Sequence, residues 1–170
     1  MKLRYLVTVF KLLVCFGALT TSFVSLANEQ SRAMCIKKAG GLIDEGVCNQ
    51  REIKNTHDKV RQLTASIEKE LTNCTPAAEA YDYKKALANL KKSSQDWKLF
   101  LQHDCELTAN LVGPGTGVTS ANQLCQLNHL RLRVKALSTR LKSIESTRIA
   151  LTENNAMGNN PNGFITCKQQ

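Results

Sequence analysis

The chain has 170 residues, is 42% hydrophobic but only 5% aromatic, and carries a formal net charge of +9. That length makes one domain of ordinary size with a sizeable core and excludes an assembly of several. The basic balance favours anionic partners, but the export signal at its start argues against nucleic acid.

Residues 1–27 read as a signal peptide. Lys2, Arg4 and Lys11 supply a basic start, Leu12 to Phe23 a mostly apolar core, and Ser25-Leu26-Ala27 a small-x-small cleavage site. The apolar run falls short of the roughly 20 residues that a spanning helix needs, and no later segment is apolar enough to cross a bilayer. Cys15 follows Val14, where a lipidation site would want a small residue. Cleavage would leave 143 residues, a net charge of +6 and six cysteines, at 35, 48, 74, 105, 125 and 167. An even number in an exported chain predicts three disulfides. No two of these cysteines are closer than thirteen residues, so there is no zinc knuckle, and no metal or other cofactor is expected.

Within the mature chain, residues 28–153 are expected to form a helical domain and 154–170 an irregular tail. Ser31 to Ala39 suits a short helix stopped by Gly40-Gly41. A Cys35–Cys48 bridge would close this region as a local loop, stabilising it by roughly 2 to 4 kcal/mol through restriction of the unfolded chain. Asn49, with Glu52 three residues on, predicts a cap opening a helix to about Asn73. Its apolar face is Ile53, Val60, Leu63, Ile67 and Leu71, less continuous than those that follow, which predicts a more peripheral third member. Thr75-Pro76 would cap the next helix, running about 54 Å to Leu111. The break Gly113-Pro114-Gly115-Thr116-Gly117 follows, and Ser120 with Gln123 predicts the start of the last helix, which should end at Glu153 before an Asn- and Gly-rich tail. Fifteen connectivities are open to six cysteines; Cys167 falls to Cys74 by elimination.

The last two helices read as an antiparallel hairpin. If Cys105 pairs with Cys125, residues whose numbers sum to about 230 lie side by side. The heptads give nearly the same register, since Leu87, Leu90, Ser94, Trp97 and Leu101 face Ile144, Leu141, Leu137, Val134 and Leu130. The match fails one step further out, where Tyr83 would face Arg148. The fold class is therefore all-α: an antiparallel three-helix bundle with a long hairpin and a short N-terminal helix, stapled by disulfides.

Trp97, Phe100, Cys105, Cys125 and Arg133 together resemble the motif of the LprI-type lysozyme-inhibitor family, in which a Trp helix, a Cys eight residues on and a Gly-containing loop lead to a second Cys and an Arg. Ser94 stands where that family carries Gln. The resemblance implies a secreted or periplasmic helical protein, an early cysteine pair like Cys35–Cys48, and inhibition of a lysozyme.

Little in the sequence suggests catalysis. His103-Asp104-Cys105 has the residue types of an activated thiol, but helical neighbours point about 100° apart and Cys105 is expected to be oxidised. His57 and His129 stand alone, no hydrolase or phosphate-loop motif occurs, and the chain is read as a non-enzyme. Trp97 reads as a core residue, with Arg133 laid over its ring. Lys84, Lys85, Lys91, Lys92, Lys98, Arg131, Arg133, Lys135, Arg140 and Lys142 lie mostly off the seam, as on a solvated face. Two partner classes follow. The loop Gly113 to Gly117, its base held by the clasp, would enter a lysozyme cleft; alternatively the basic face would bind an anionic envelope polymer or an envelope protein without inhibition.

Overall fold

The computed structural model describes residues 30–76, 82–115, 117–156 and 165–167. The proposed signal peptide lies outside them. In chain order the elements are α1 (30–38), α2 (Leu42–Asn73), β1 (Cys74–Pro76), α3 (Tyr83–Leu111), α4 (Gly117–Ala156) and β2 (Ile165–Cys167). The fold is all-α, a disulfide-stapled helical bundle with one three-residue ladder beside it. No helix among the described residues is long and apolar enough to cross a membrane.

The chain divides into two compact units, Met1–Glu52 and Ile53–Gln170. In the first, α1 ends at the Gly40-Gly41 break, as the sequence predicts. The Asp44 carboxylate accepts the Gly40 backbone N–H at 2.9 Å, and Asp44 and Glu45 place negative charge in the first turn of α2, where the helix dipole favours it. The bridge Cys35–Cys48 is formed, with Cα atoms 5.8 Å apart. One expectation fails here. Asn49 does not cap a helix; it lies inside α2, which starts seven residues earlier, and its side-chain oxygen accepts from Arg32 Nε at 2.9 Å. The Asn49 side chain thus serves a contact with α1 rather than a helix end.

In the second unit the three long helices share a core. Leu63, Ile67 and Leu71 of α2 are buried with Leu90 of α3 and Leu137 of α4, and Val134, Leu141 and Ile144 pack against them. A second cluster joins Ile53 to Leu127 and Leu130, with Val60 and Trp97 against it. The heptad positions of α4 thus face inward from Leu127 to Ile144, the arrangement their 3.5-residue spacing requires. At the outer end Arg148 leaves the seam for α2, its Nε lying 3.1 Å from Glu70 Oε2. That ion pair accounts for the place where the heptad match fails, while Tyr83 still packs on the core.

Three boundaries differ from expectation. Helix α3 begins at Tyr83 rather than Pro76, because Asp82 caps it by accepting the Lys85 N–H at 2.8 Å, and Pro76 is in β1 instead. Helix α4 starts at Gly117, three residues before Ser120, and continues through Asn154 and Asn155 to Ala156. The tail is not irregular throughout, since β2 pairs antiparallel with β1 in a register that sets Cys74 across from Cys167. The side chains of both lie outside the described residues, and so does the bridge assigned to them.

Candidate functional site

The end of the hairpin gathers most of the residues singled out in the sequence. Cys105 and Cys125 are joined, with Cα atoms 5.5 Å apart, and Leu101 and the bridge are buried with Trp97 against them. Beside the bridge, Asn122 Nδ2 donates to the Cys105 carbonyl at 3.1 Å, so a polar contact backs up the covalent one. The three consecutive residues His103, Asp104 and Cys105 diverge, as helical geometry demands. Cys105 turns into the clasp, exposed His103 lies 3.8 Å from Glu106, and Asp104 reaches across to His129 Nε2 at 2.7 Å.

That His129–Asp104 contact is the site feature that sequence reasoning missed. Phe100 closes over the same imidazole edge-on, with centroids 5.2 Å apart and planes at 88°. One layer further from the turn, the Arg133 guanidinium sits 5.4 Å from the Trp97 ring centroid and donates weakly to Ser94 Oγ at 3.4 Å. Burial, and then the nearby charge of Arg140, lower the pKa of Arg133 from its ordinary value, and its Nε is buried with no hydrogen-bond partner among the described residues. The stacking therefore supplies contact that hydrogen bonding does not.

The sequence places Phe100, Asp104, Leu107 and Leu111 at i, i+4, i+7 and i+11, which puts them on one stripe of α3. Leu107 and Leu111 are 56% and 79% exposed, Phe100 is exposed beyond its edge contact, and Val112 and Leu132 are exposed as well. Large apolar side chains in water are unremarkable singly, but a stripe of them beside a disulfide-held turn is a candidate contact surface. A groove of about 320 Å³ is lined by His57, Lys98, Leu101, Gln102, Asn122 and Gln126. Burial first, and then the Arg61 charge, hold the His57 imidazole below its ordinary 6.5.

The turn itself is tight. Gly113 and Gly115 adopt φ of +83° and +140°, a region L-residues avoid, and Val112 and Gly113 close the α3 end by donating to the Ala109 and Asn110 carbonyls. Pro114 lies between them. Thr116 lies outside the described residues, and Gly117 is the first residue of α4 rather than part of the loop. A Cβ on Gly117 would come within 3.3 Å of Val112 Cγ1, a tight contact that a shift of the exposed Val112 side chain would have to relieve.

Compared with protein-family models, curated proteins and solved structures, the chain has no match.

Proposed function

We propose that this is an exported helical binding protein that docks on a partner protein through its hairpin end and, in the manner of the LprI-type lysozyme inhibitors its Trp97-to-Arg133 motif resembles, blocks a lysozyme by occupying its cleft. The observation that carries the reading is the exposed stripe Phe100, Leu107, Leu111 with Val112, beside a turn whose base is fixed by the Cys105–Cys125 bridge. A tip already held in one shape loses little conformational freedom on binding. Against the inhibitor reading stands a net charge of +6 after signal removal, which meets like-charge repulsion from a basic lysozyme and slows the encounter, although physiological salt limits its reach to about 8 Å.

The polymer-binding alternative draws less support from the charges. Lys91 and Lys92 are engaged by Glu68 and Asp96, at 3.2 and 3.3 Å, so the basic face is partly neutralised from within. A turbidity assay of lysozyme lysis of bacterial cells separates the two. The mature protein at stoichiometric ratio should slow lysis. Leu107→Asp with Leu111→Asp, both at exposed positions, should abolish the effect, and Lys91→Glu with Lys92→Glu should leave it intact. Undiminished lysis in the presence of the unmodified protein would sink the inhibitor reading.

A further inference from the structure

We propose that the hairpin clasp is also a latent zinc site: once the bridge is reduced, Cys105, Cys125 and His129 bind Zn²⁺ as two thiolates and one imidazole. The two sulfurs and a ring nitrogen of His129 already lie within 4.8 Å of one another. A tetrahedral zinc with bonds of about 2.3 Å to sulfur sets its sulfurs about 3.8 Å apart, so the helices need only ease apart by the difference between a covalent bond and a shared ion. Cys125 and His129 are one helical turn apart on α4 and project from the same face, the spacing by which two ligands on a helix reach one metal.

The surroundings are those of a supported metal ligand. Asp104 is 2.7 Å from His129 Nε2, and with one ring nitrogen on the ion the other donates to this carboxylate, which fixes the ring's orientation and tautomer. Phe100 packs edge-on against the ring and Cys105 is almost wholly buried, which limits water around the ligands. Water fills the fourth position.

The chemistry balances with a dithiol as reductant. It delivers two electrons and two protons, the Cys105–Cys125 sulfur–sulfur bond breaks to two thiols, and the dithiol closes to its own disulfide. Zn²⁺ then displaces both thiol protons into solvent as two zinc–sulfur bonds form. The hairpin end is stapled in both states, by a covalent bond when oxidised and by a metal when reduced. Nothing in this depends on which partner the tip binds.

The test is to reduce the full chain with a phosphine, remove the reductant anaerobically and titrate with Co²⁺ as a spectroscopic stand-in for Zn²⁺. One equivalent should bind with the intense visible absorption of a tetrahedral thiolate site, absent from the oxidised protein. Cys105→Ser with Cys125→Ser should abolish the spectrum, and His129→Gln and Asp104→Asn should each weaken binding about tenfold or more, with helical circular dichroism retained. A readout free of variants is alkylation of the reduced chain mapped by peptide mass: Zn²⁺ should protect Cys105 and Cys125. A reduced chain with no tetrahedral spectrum, the same spectrum in the double serine variant, or alkylation of the two cysteines at equal rates with and without Zn²⁺ would each overturn the assignment.

Discussion

The two ends of the long hairpin are held by different means. Away from the turn, α3 and α4 meet α2 over Leu63, Ile67, Leu71, Leu90 and Leu137, a buried contact among aliphatic side chains flanked by the Glu70–Arg148 and Glu68–Lys91 ion pairs. Near the turn, a small cluster of buried Leu101 and partly buried Trp97 around the disulfide is joined by a side-chain amide on a carbonyl and a His–Asp pair, while Leu107 and Leu111 point outward. Burial stabilises only where apolar surface leaves water, so the exposed Leu107 and Leu111 contribute little and the bonds beside them carry more of the hold.

Breaking the far end should have the largest effect. Leu137 is fully buried where all three helices meet, and Leu137→Ala should destabilise the protein by about 2 to 5 kcal/mol in denaturant unfolding, through lost transfer energy and the cavity left behind. Opening the near end comes next. Cys105→Ser with Cys125→Ser frees a loop closed over 20 residues and should cost about 3 kcal/mol, with faster proteolysis in the 112–117 segment while the far-end core stays protected from hydrogen exchange. Arg133→Ala removes the guanidinium from Trp97 and should cost about 1 kcal/mol, read as a shift in denaturation midpoint and in Trp97 fluorescence. The smallest effect is a pH slope. Because burial depresses the His57 pKa below 6.5, the folded protein binds fewer protons than the unfolded chain once pH falls under that value. The contribution of His57 is therefore whole above pH 6.5 and lost as pH falls toward its folded pKa; His57→Gln should flatten this part of the stability profile. An unchanged slope would mean that other groups set it.

What could be read from the residues divides along the same line. The seam was legible because six heptad positions from Leu127 to Ile144 repeat one spacing, and the Cys105–Cys125 bridge agreed with it. Contacts across the hairpin end carry no period. His129 and Asp104 are 25 residues apart, and only after the register is known does their meeting become predictable. Cap signals misled for a local reason: Asn49 and Ser120 are residue types that suit a helix start, yet α2 and α4 had already begun upstream, and Asp82, which does cap α3, followed a segment that the Thr75-Pro76 pattern assigned to helix.

Both bridges seen among the described side chains connect near neighbours, 13 and 20 residues apart. The entropy of bringing such close residues together is small, and neither encounter requires a distant part of the chain to be present. If the chain is exported as proposed, threading from the N-terminus would bring Cys35 and Cys48 to the oxidant first and the second pair soon after, each able to close within its own stretch of chain. Vectorial delivery and the correct pairing of sulfurs would then favour one another, leaving little opportunity for scrambled isomers.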